Sequence, residues 1–495
     1  MLIESMGDRM KDILVFLSDQ HSYAQQGYAG DKLVRTPNLD RIAAEGTAME
    51  NNYTAYPLCV PARMAMLTGQ QASNCGVMSN FAALDSNRAT FAHCLNIAGY
   101  ETVLCGRMHF VGGDQRHGFS SRIAGEMTPV YANRPKAIAQ ERGAHDRTPQ
   151  GGPSCLSAIG GGNSPTLEFD RYVVDHALEY LAEDHEKPQL LFVGTYGPHH
   201  PYVAPKELYE YYRDKVNVPE ESFDYPEHPA LKGRILRDTD PEVVRAVRAA
   251  YYGMVEFEDQ QIGKVYDAFQ AYLKRTGHEG VFVYVSDHGD HIGTRGYYGK
   301  STFYEQSAHT PMIFAGDGVA CGRRIKGATS LIDLGPTLCE LAGAPPMPAA
   351  DGISLWGQLS GDADDSSRIV VSELGGEFSF ISGTFSYGQM AKQGKYKLIH
   401  FDGFDGQDVL YDLEADPAEE RNVISEHPDV AARLRNAMEE TCESVDQIYR
   451  NAELLRKNLP ILTKCDLDVP EERWHAPECA RHLPDPMVKS KRYAH

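Results

Sequence analysis

The sequence predicts an α/β fold, with a large, mostly parallel sheet covered by helices on both faces and a smaller α+β subdomain after it. Through roughly the first 365 residues, short apolar runs alternate with helical patterns, which is typical of such sheets. After a polar break at 360–367, strand-like runs precede one helical stretch. We therefore divide the chain into a large α/β domain, 1–365, and a C-terminal subdomain, 366–495.

Four core strands are predicted in the large domain. The first and last are nearly continuous apolar runs rich in β-branched and aromatic residues, as expected for central strands buried on both faces. Helical patterns at 38–46, 91–100 and 254–275 lie between the strands. The four runs are Ile13–Leu17, Thr102–Leu104, Leu190–Val193 and Val281–Val285.

Two regions depart from this alternation. Residues 111–167 are glycine-rich and aperiodic in part, so we expect a long insertion over one end of the sheet. The C-terminal subdomain has strand-like runs at 367–374, 394–403 and 408–413 and a helical stretch at 429–445. It ends in a proline-containing stretch of about thirty residues that predicts an irregular tail.

The charge balance excludes several classes of partner. The chain has 69 acidic and 48 basic residues, a net charge of −21, whereas nucleic acids and anionic membranes require a basic surface. No apolar run is long enough to cross a membrane, and the ten cysteines form no CxxC pair. No signal peptide is recognisable. We therefore expect a cytoplasmic protein, or one already trimmed, without nucleic-acid or membrane partners.

Chemically reactive side chains follow all four core strands. In open α/β sheets, ligands bind outside the carboxyl ends of the strands, so we expect these side chains to meet at one edge. Any one of them could be an ordinary solvated loop residue, but four coincidences argue against that. In strand order the residues are Asp19 and Gln20, Arg107 and His109, His199, and Asp287 and His288, with Lys300 shortly after.

These residues form two chemical sets. Carboxylates, an amide and an imidazole, from Asp19, Gln20, Asp287 and His288, can ligate a divalent cation. The second set is basic and suits a tetrahedral oxyanion. A cation beside a basic cluster predicts a site for a sulfate or phosphate ester. The basic set consists of Arg63, Arg107, His109, His199 and Lys300.

The segment AYPLCVPARMAMLTGQ, residues 55–70, adds the start of a helix to this site. Pro61 is expected at the first helical position, so the helix would begin just after Cys59, where its dipole favours an anion. Arg63 lies one turn further on the same side. The placement leaves two interpretations of Cys59: a nucleophile with a lowered thiol pKa, or the precursor of another group.

These segments resemble the type I, formylglycine-dependent sulfatase family. CVPARMAMLTG is similar to the family signature, Cys-x-Pro-Ser/Ala-Arg followed by Leu-Thr-Gly. Further similar segments follow in family order between residues 12 and 425: TPNLDRIAAEG, AGYETVLCGRMHF, GPHHPY, VSDHGDHIG with YGKSTFYEQSAHTPMIF, and GKYKLIHFDG with LYDLEADPAEERNV. The resemblance implies an alkaline-phosphatase-like fold and a sulfuric ester hydrolase.

The resemblance also implies a modified residue and a metal. In this family a maturation enzyme oxidises the signature cysteine, here Cys59, to formylglycine, and the hydrated aldehyde attacks the sulfur of the ester. The other ligands of one divalent metal would be Asp19, Gln20, Asp287 and His288. Calcium is expected, and manganese is the alternative because an imidazole is a softer ligand than the asparagine that many members have at the last position.

The remaining roles also follow from the resemblance. Asp287 would in addition activate the attacking hydroxyl, and Arg63 and Arg107 would stabilise the diol and the sulfate. His109 would help to break down the sulfated intermediate. Arg107 stands where many members have lysine. Finally, His199 and Lys300 would contact the sulfate and protonate the leaving oxygen.

Other functions remain open on the sequence alone. A phosphonate monoester or phosphodiester hydrolase shares the fold, and choline sulfatases and phosphonate monoester hydrolases have similar metal residues. A sulfoglycan-binding protein that had lost its activity would be expected to lack one of the catalytic residues of the family. This sequence has a residue of the expected type at each of those positions, which argues against that alternative. A two-metal phosphatase needs a second ligand set that we cannot place. We predict a small aryl or carbohydrate sulfate as substrate, recognised by 111–167 and 368–495, and we keep a homo-oligomer as a hypothesis.

Overall fold

The computed structural model describes residues 10–128, 155–156, 158–218, 228–231, 238–375 and 386–462. Its strands, in chain order, are β1 (Asp12–Asp19), β2 (Thr47–Met49), β3 (Asn52–Tyr53), β4 (Glu101–Gly106), β5 (Ser121–Ala124), β6 (Ile159–Gly161), β7 (Gln189–Pro198), β8 (Tyr202–Ala204), β9 (Gly280–Ser286), β10 (Met312–Gly316), β11 (Arg323–Ile325), β12 (Thr329–Ser330), β13 (Val370–Leu374), β14 (Gly388–Gln393), β15 (Tyr396–Phe401) and β16 (Val409–Asp412).

The helices are likewise numbered in chain order. They are α1 (Pro37–Glu45), α2 (Cys59–Thr68), α3 (Ala72–Cys75), α4 (Phe91–Ile97), α5 (Pro165–Ala182), α6 (Lys206–Arg213), α7 (Pro241–Thr276), α8 (Glu305–Ala308), α9 (Leu334–Leu341), α10 (Trp356–Ser360), α11 (Pro428–Thr441) and α12 (Val445–Leu462), with short 3₁₀ turns at Pro229–Leu231, Thr294–Gly296 and Leu331–Asp333. None of the helices in the described ranges is both long and apolar enough to cross a membrane.

An eight-stranded sheet forms the centre of the molecule, in the order β11-β2-β10-β9-β1-β7-β4-β5. Strand β1 pairs in parallel with β7 and β9, and β4 pairs in parallel with β7 and β5. Strand β10 is antiparallel to β9 and β2. The predicted mostly parallel α/β sheet is therefore confirmed, and the four predicted core strands are neighbours at its centre.

The pattern of β1 explains why helices cover both faces of this sheet. All eight residues of the strand are buried, and successive side chains point to opposite faces. Ile13, Val15 and Leu17 belong to a core shared with α2, α4 and α9. Leu14 and Phe16 belong to a second core shared with α1, α5 and α7.

A four-stranded antiparallel sheet, β13-β14-β15-β16, packs against α11 in the predicted C-terminal subdomain. The strand-like runs and the helix expected there are present. The helix α12, which follows α11, was not predicted. The exact boundary at 365/366 stays a prediction, and the predicted tail at 463–495 lies outside the described residues.

The region 111–167 is more ordered than the sequence predicts. Strand β5 completes the main sheet beside β4, β6 pairs with β8, and α5 begins at Pro165. The sequence pattern misses β5 because it has four residues, of which only the last is buried. Residues 129–154 and 157 of this region lie outside the described part of the chain.

Candidate active site

The predicted functional residues meet at the carboxyl edge of the central strands. Asp19 ends β1 and Asp287 follows β9. The register of these two strands pairs Ser18 with Ser286, which brings the two aspartates to adjacent positions. Because β4 and β7 are parallel neighbours of β1 in the same sheet, Arg107 and His199 arrive at the same edge.

Helix α2 points its first residue into this edge. It begins at Cys59 itself, two residues earlier than expected, so Pro61 is its third residue and not its first. The proline is still tolerated, because the first four N–H groups of a helix have no intrahelical acceptor. Every residue of α2 is buried, so packing on both sides holds Cys59 in place.

Four side chains form a candidate metal centre: Asp19, Cys59, Asp287 and His288. One ligand atom from each lies within 4.8 Å of all the others. The Cys59 sulfur is 3.1 Å from His288 Nε2 and 3.7 Å from Asp19 Oδ1. Each of the four residues is almost fully buried. The cluster can therefore surround one ion.

Arg63 determines which carboxylate oxygens are available to that ion. Its Nε donates to Asp287 Oδ2 at 2.8 Å and its Nη2 donates to Asp19 Oδ2 at 3.0 Å. The Oδ1 atoms of the two aspartates instead lie 3.6 and 3.7 Å from His288 Nε2. Two carboxylate oxygens and one imidazole fit a divalent cation, and an oxygen in place of the Cys59 sulfur would suit a hard ion such as calcium better.

The amide of Gln20, the fifth predicted ligand, has hydrogen-bond partners of its own. Its oxygen accepts a hydrogen bond from Lys300 Nζ at 2.6 Å, and its NH₂ group donates to Asp290 and, at 3.3 Å, to His200 Nδ1. Gln20 thus lies beside the cluster and orients Lys300. Its role as a metal ligand stays a prediction.

Lys300 connects this amide to Cys59 and to His199. Its ammonium group is 3.1 Å from the Cys59 sulfur and 2.6 Å from His199 Nε2. An ammonium group only donates, so His199 Nε2 accepts, and His199 Nδ1 donates to the carbonyl of His200 at 2.7 Å. Burial, together with the charge of Lys300, lowers the pKa of His199 well below its usual value.

Arg107 adds a second guanidinium group to the cluster. Its Nε donates to Asp19 Oδ2 at 2.7 Å, its Nη1 lies 3.3 Å from Glu126 Oε1, and its Nη2 donates to His109 Nδ1 at 2.8 Å. The guanidinium carbon lies 4.4 Å from the ring centroid of Tyr196. All eight residues predicted on the strand ends, together with Cys59 and Arg63, therefore belong to one connected cluster.

Sequence reasoning missed three polar groups that surround this cluster. Glu126 and Thr128 contact Arg107, and Asp290 accepts hydrogen bonds from Gln20 and from the Tyr202 hydroxyl. Asp290 lies in the motif SDHGDH, which was a usable signal. Glu126 and Thr128 lie in the aperiodic region, where no motif distinguishes them.

The electrostatics of the site separate charged from neutral groups. Burial by itself would raise the pKa of Asp19, but Arg107, His199, Arg63 and Lys300 hold it well below its usual value. Burial raises the pKa of the Cys59 thiol to about 12 and lowers that of His288 to about 4. Burial beside two carboxylates thus disfavours the interpretation of unmodified Cys59 as a low-pKa thiolate.

Comparison with known protein families gives two matches. The profile of the sulfatase family matches residues 11–344. A second profile, described as N-sulphoglucosamine sulphohydrolase, C-terminal, matches residues 293–445. Among curated proteins, the choline-sulfatase of Rhizobium meliloti (strain 1021) is 32% identical over 441 residues, covering 84% of this chain and 83% of that protein.

Solved structures agree with the fold. A phosphonate monoester hydrolase of Agrobacterium radiobacter superimposes with a TM-score of 0.70 at 21% identity, covering 89% of this chain and 96% of that one. A protein solved in complex with its substrate D-glucosamine-2-N,6-O-disulfate superimposes with a TM-score of 0.71 at 20% identity, covering 90% and 99%. At these identities the likeness concerns the alkaline-phosphatase-like fold alone.

Proposed function

Because this chain belongs to the sulfatase family and is a sulfuric ester hydrolase, we propose that it cleaves a small sulfate monoester by means of a formylglycine made from Cys59 and one divalent metal. The observation that supports this most directly is the position of Cys59, at the start of a buried helix and in contact with Asp19, His288 and Lys300. A thiol with a pKa of about 12 is a poor nucleophile at neutral pH. An aldehyde hydrate at the same position would supply a hydroxyl group instead.

The metal would be held by Asp19, Asp287, His288 and the modified residue 59. When bound, the ion would polarise the sulfate ester and offset the charge that develops on its oxygens. We propose calcium, because oxygens dominate the donor set, and manganese is the alternative because of the imidazole of His288. Metal analysis of the purified protein, followed by removal with a chelator and readdition of each ion, tests this assignment.

The basic residues would bind the sulfate and handle the proton of the leaving group. Arg63 and Arg107 bring two permanent positive charges to the cluster. Lys300 is the donor in the 2.6 Å hydrogen bond to His199 Nε2, so a proton can pass to the leaving oxygen from Lys300, directly or through His199 Nε2. Asp287 would act as the base toward the hydroxyl at residue 59.

The leaving alcohol is the least constrained part of the proposal. The similarity to a choline-sulfatase makes choline sulfate a candidate, and the fold shared with a protein that binds a sulfated glucosamine makes sulfated sugars another. A phosphonate monoester is the second candidate reaction, because the pairs Asp19–Gln20 and Asp287–His288 resemble those of phosphonate monoester hydrolases and one of these enzymes shares the fold.

The test begins with protein produced together with a formylglycine-generating enzyme. We expect the intact mass to fall by one sulfur-for-oxygen exchange less two hydrogens. Sulfate release from choline sulfate, aryl sulfates and sulfated sugars is then measured by ion chromatography, with an aryl phosphonate as comparison. Cys59→Ala should abolish release, whereas Cys94→Ala, a buried thiol away from the site, should retain it.

Two results would contradict the proposal. One is phosphonate turnover that exceeds sulfate turnover by orders of magnitude, which would establish the second candidate. The other is a Cys59→Ala variant as active as the wild type, since then no group derived from Cys59 takes part in the reaction.

A further inference from the structure

Glu126 is a buried carboxylate that the proposed reaction does not use. Its Oε1 lies 3.3 Å from Arg107 Nη1 and accepts from the two backbone N–H groups that follow it, at 2.9 and 3.1 Å. Its Oε2 accepts from the backbone N–H of His109 at 2.8 Å. Burial by itself would raise the pKa of Glu126, but Arg107, His109 and Arg122 hold it below its usual value. Glu126 is therefore an ionised group that holds two predicted active-site residues.

The partners of Arg107 together fix the plane of its guanidinium group. Asp19 binds the Nε of the guanidinium group, Glu126 binds Nη1, and the ring of Tyr196 lies beneath the plane at 4.4 Å. The Nη2 group then lies 2.8 Å from His109 Nδ1. Lysine has one nitrogen atom and cannot contact three such partners in a fixed plane, which gives a physical reason for arginine at this position.

This contact fixes the tautomer of His109. Arginine has only N–H donors and keeps its proton in proteins, so Nδ1 of His109 must be the acceptor. The single proton of the neutral imidazole is then on Nε2. Among the described residues, Nε2 has no hydrogen-bond partner, and the ring is nearly buried. An N–H group is therefore available to a ligand.

The backbone at His109 also depends on Glu126. His109 has a φ of +60°, in the left-handed region that costs a residue other than glycine about 1–3 kcal/mol. The hydrogen bond from its N–H to a buried carboxylate favours that conformation. Glu126 therefore acts on His109 twice, directly through the backbone and through Arg107 on the ring.

We propose that Glu126 is a positioning residue that holds Arg107 and His109 so that His109 presents Nε2–H to the bound sulfate. His109 then donates a hydrogen bond and does not act as a base, because a base at this position would need a free lone pair on Nε2. The inference rests on the proposed sulfatase reaction, since it assigns a ligand to that N–H group.

Substitutions of His109 separate a donor from a base. Glutamine keeps an N–H donor but cannot take up a proton at neutral pH, whereas alanine provides neither group. We expect the kcat of His109→Gln to exceed that of His109→Ala by about 10- to 100-fold, the value of a hydrogen bond to a charged group. If His109 acts as a base, both variants lose activity equally, by about 10²- to 10⁴-fold, and the proposal is wrong.

Substitution of Glu126 tests the positioning role. We expect Glu126→Gln to lower kcat by about 10- to 100-fold, as for other residues that orient a reactive group, with a smaller change in KM. The matched control is Glu168→Gln, which removes a partly exposed carboxylate paired with Arg171 in the first turns of α5. The control should keep wild-type kinetics. An unchanged kcat in folded Glu126→Gln would overturn the proposal.

The ¹⁵N NMR spectrum of histidine-labelled wild-type protein gives a readout that needs neither activity nor the Glu126 variant. Signals assigned by their loss in His109→Gln should show an unprotonated Nδ1 and a protonated Nε2. A proton on Nδ1 would refute the inference. The two proposals can fail separately. If this tautomer is found but no sulfate ester is hydrolysed, the proposed function is wrong, whereas the positioning of His109 by Arg107 and Glu126 is confirmed.

Discussion

Two buried carboxyl groups, Asp170 and Glu258, lie beneath the candidate active site and face each other. Asp170 accepts a hydrogen bond from the backbone N–H of Gly197 at 2.9 Å, and Glu258 accepts one from the Ser18 hydroxyl at 2.9 Å. A Cβ atom at Gly197 would lie 2.8 Å from Asp170 Oδ2 and 3.0 Å from Glu258 Oε2. Burial raises the pKa of Asp170 to about 7 and that of Glu258 well above its usual value.

We predict that this pair makes the protein less stable as the pH rises. A carboxyl group whose pKa is raised in the folded state binds its proton more tightly there than in the unfolded state. The stability that this proton contributes is fully present below the pKa of the group in the unfolded chain, about 4. It is lost as the pH rises through the pKa in the folded protein, about 7 for Asp170. In Glu258→Gln the neutral amide cannot ionise and no longer repels the Asp170 carboxylate, so the melting temperature should fall less over this interval than in the wild type.

Thermal unfolding followed by circular dichroism at a series of pH values measures this difference. The control is Glu179→Gln, which alters an exposed carboxylate on α5, the helix that carries Asp170. The control should show the wild-type slope. If Glu258→Gln shows it as well, Glu258 does not contribute to the loss of stability with rising pH.

At the scale of single residues, the sequence predicted the groups that end the central strands and missed those that support them. Asp19 and Asp287 follow apolar runs directly, so their position is visible in the pattern. Asp170 and Glu258 lie within long helices, where an acidic residue is ordinarily exposed. Their burial depends on tertiary neighbours that no local pattern records.

At the scale of elements, the ends of β4 and β7 position the site through a close contact between backbones. The N–H of Arg107 donates to the carbonyl of Gly194 at 2.7 Å. A Cβ atom at Gly194 would lie 1.9 Å from the carbonyl oxygen of Arg107. Only glycine permits this approach, and the approach sets where the Arg107 side chain begins.

We predict that Gly194→Ala lowers both stability and activity. The methyl group must displace the Arg107 backbone, and overpacking of this kind costs about 1–3 kcal/mol of stability. A shift of about 1 Å in a catalytic side chain can cost on the order of 10²-fold in rate. The melting temperature and kcat/KM measure the two effects.

The control for this prediction is Gly113→Ala, since an added Cβ atom there meets nothing within 4 Å. Gly113→Ala should behave as the wild type. A Gly194→Ala variant with wild-type activity would show that the position of Arg107 tolerates the shift.

The elements themselves were predictable where they are long and buried. The apolar runs of β1 and β9 and the helical patterns within α1, α4 and α7 were identified because their periodicity extends over several residues. The short strands β5 and β6 carry too few residues for a period to be recognised. The start of α2 was misplaced because proline was expected at the first helical position, whereas the helix tolerates it at the third.

At the scale of the whole molecule, a buried lysine joins the C-terminal sheet to the catalytic domain. Lys397, on β15, donates to the carbonyl of Phe303 at 2.9 Å and to Glu305 Oε1 at 2.7 Å, and it also pairs with Glu419. Its side chain is completely buried. The segment that carries Phe303 and Glu305 begins a few residues after Lys300 of the active site. The sequence indicated two units but not this link, because the residues involved are far apart along the chain.

We predict that Lys397→Met destabilises the protein by about 3–5 kcal/mol, the cost of removing one partner of a buried ion pair, and lowers activity by releasing the segment after Lys300. Methionine keeps much of the side-chain volume, so the effect would come from the two carboxylates left without their cation. The second substitution in Lys397→Met/Glu419→Gln removes one of those charges and should restore part of the stability, as measured by thermal unfolding. Lys395→Met, which removes an exposed ammonium group paired with Asp412 on the neighbouring strand, should unfold as the wild type does. If Lys397→Met does so too, the ion pairs of Lys397 do not stabilise the contact between the two units.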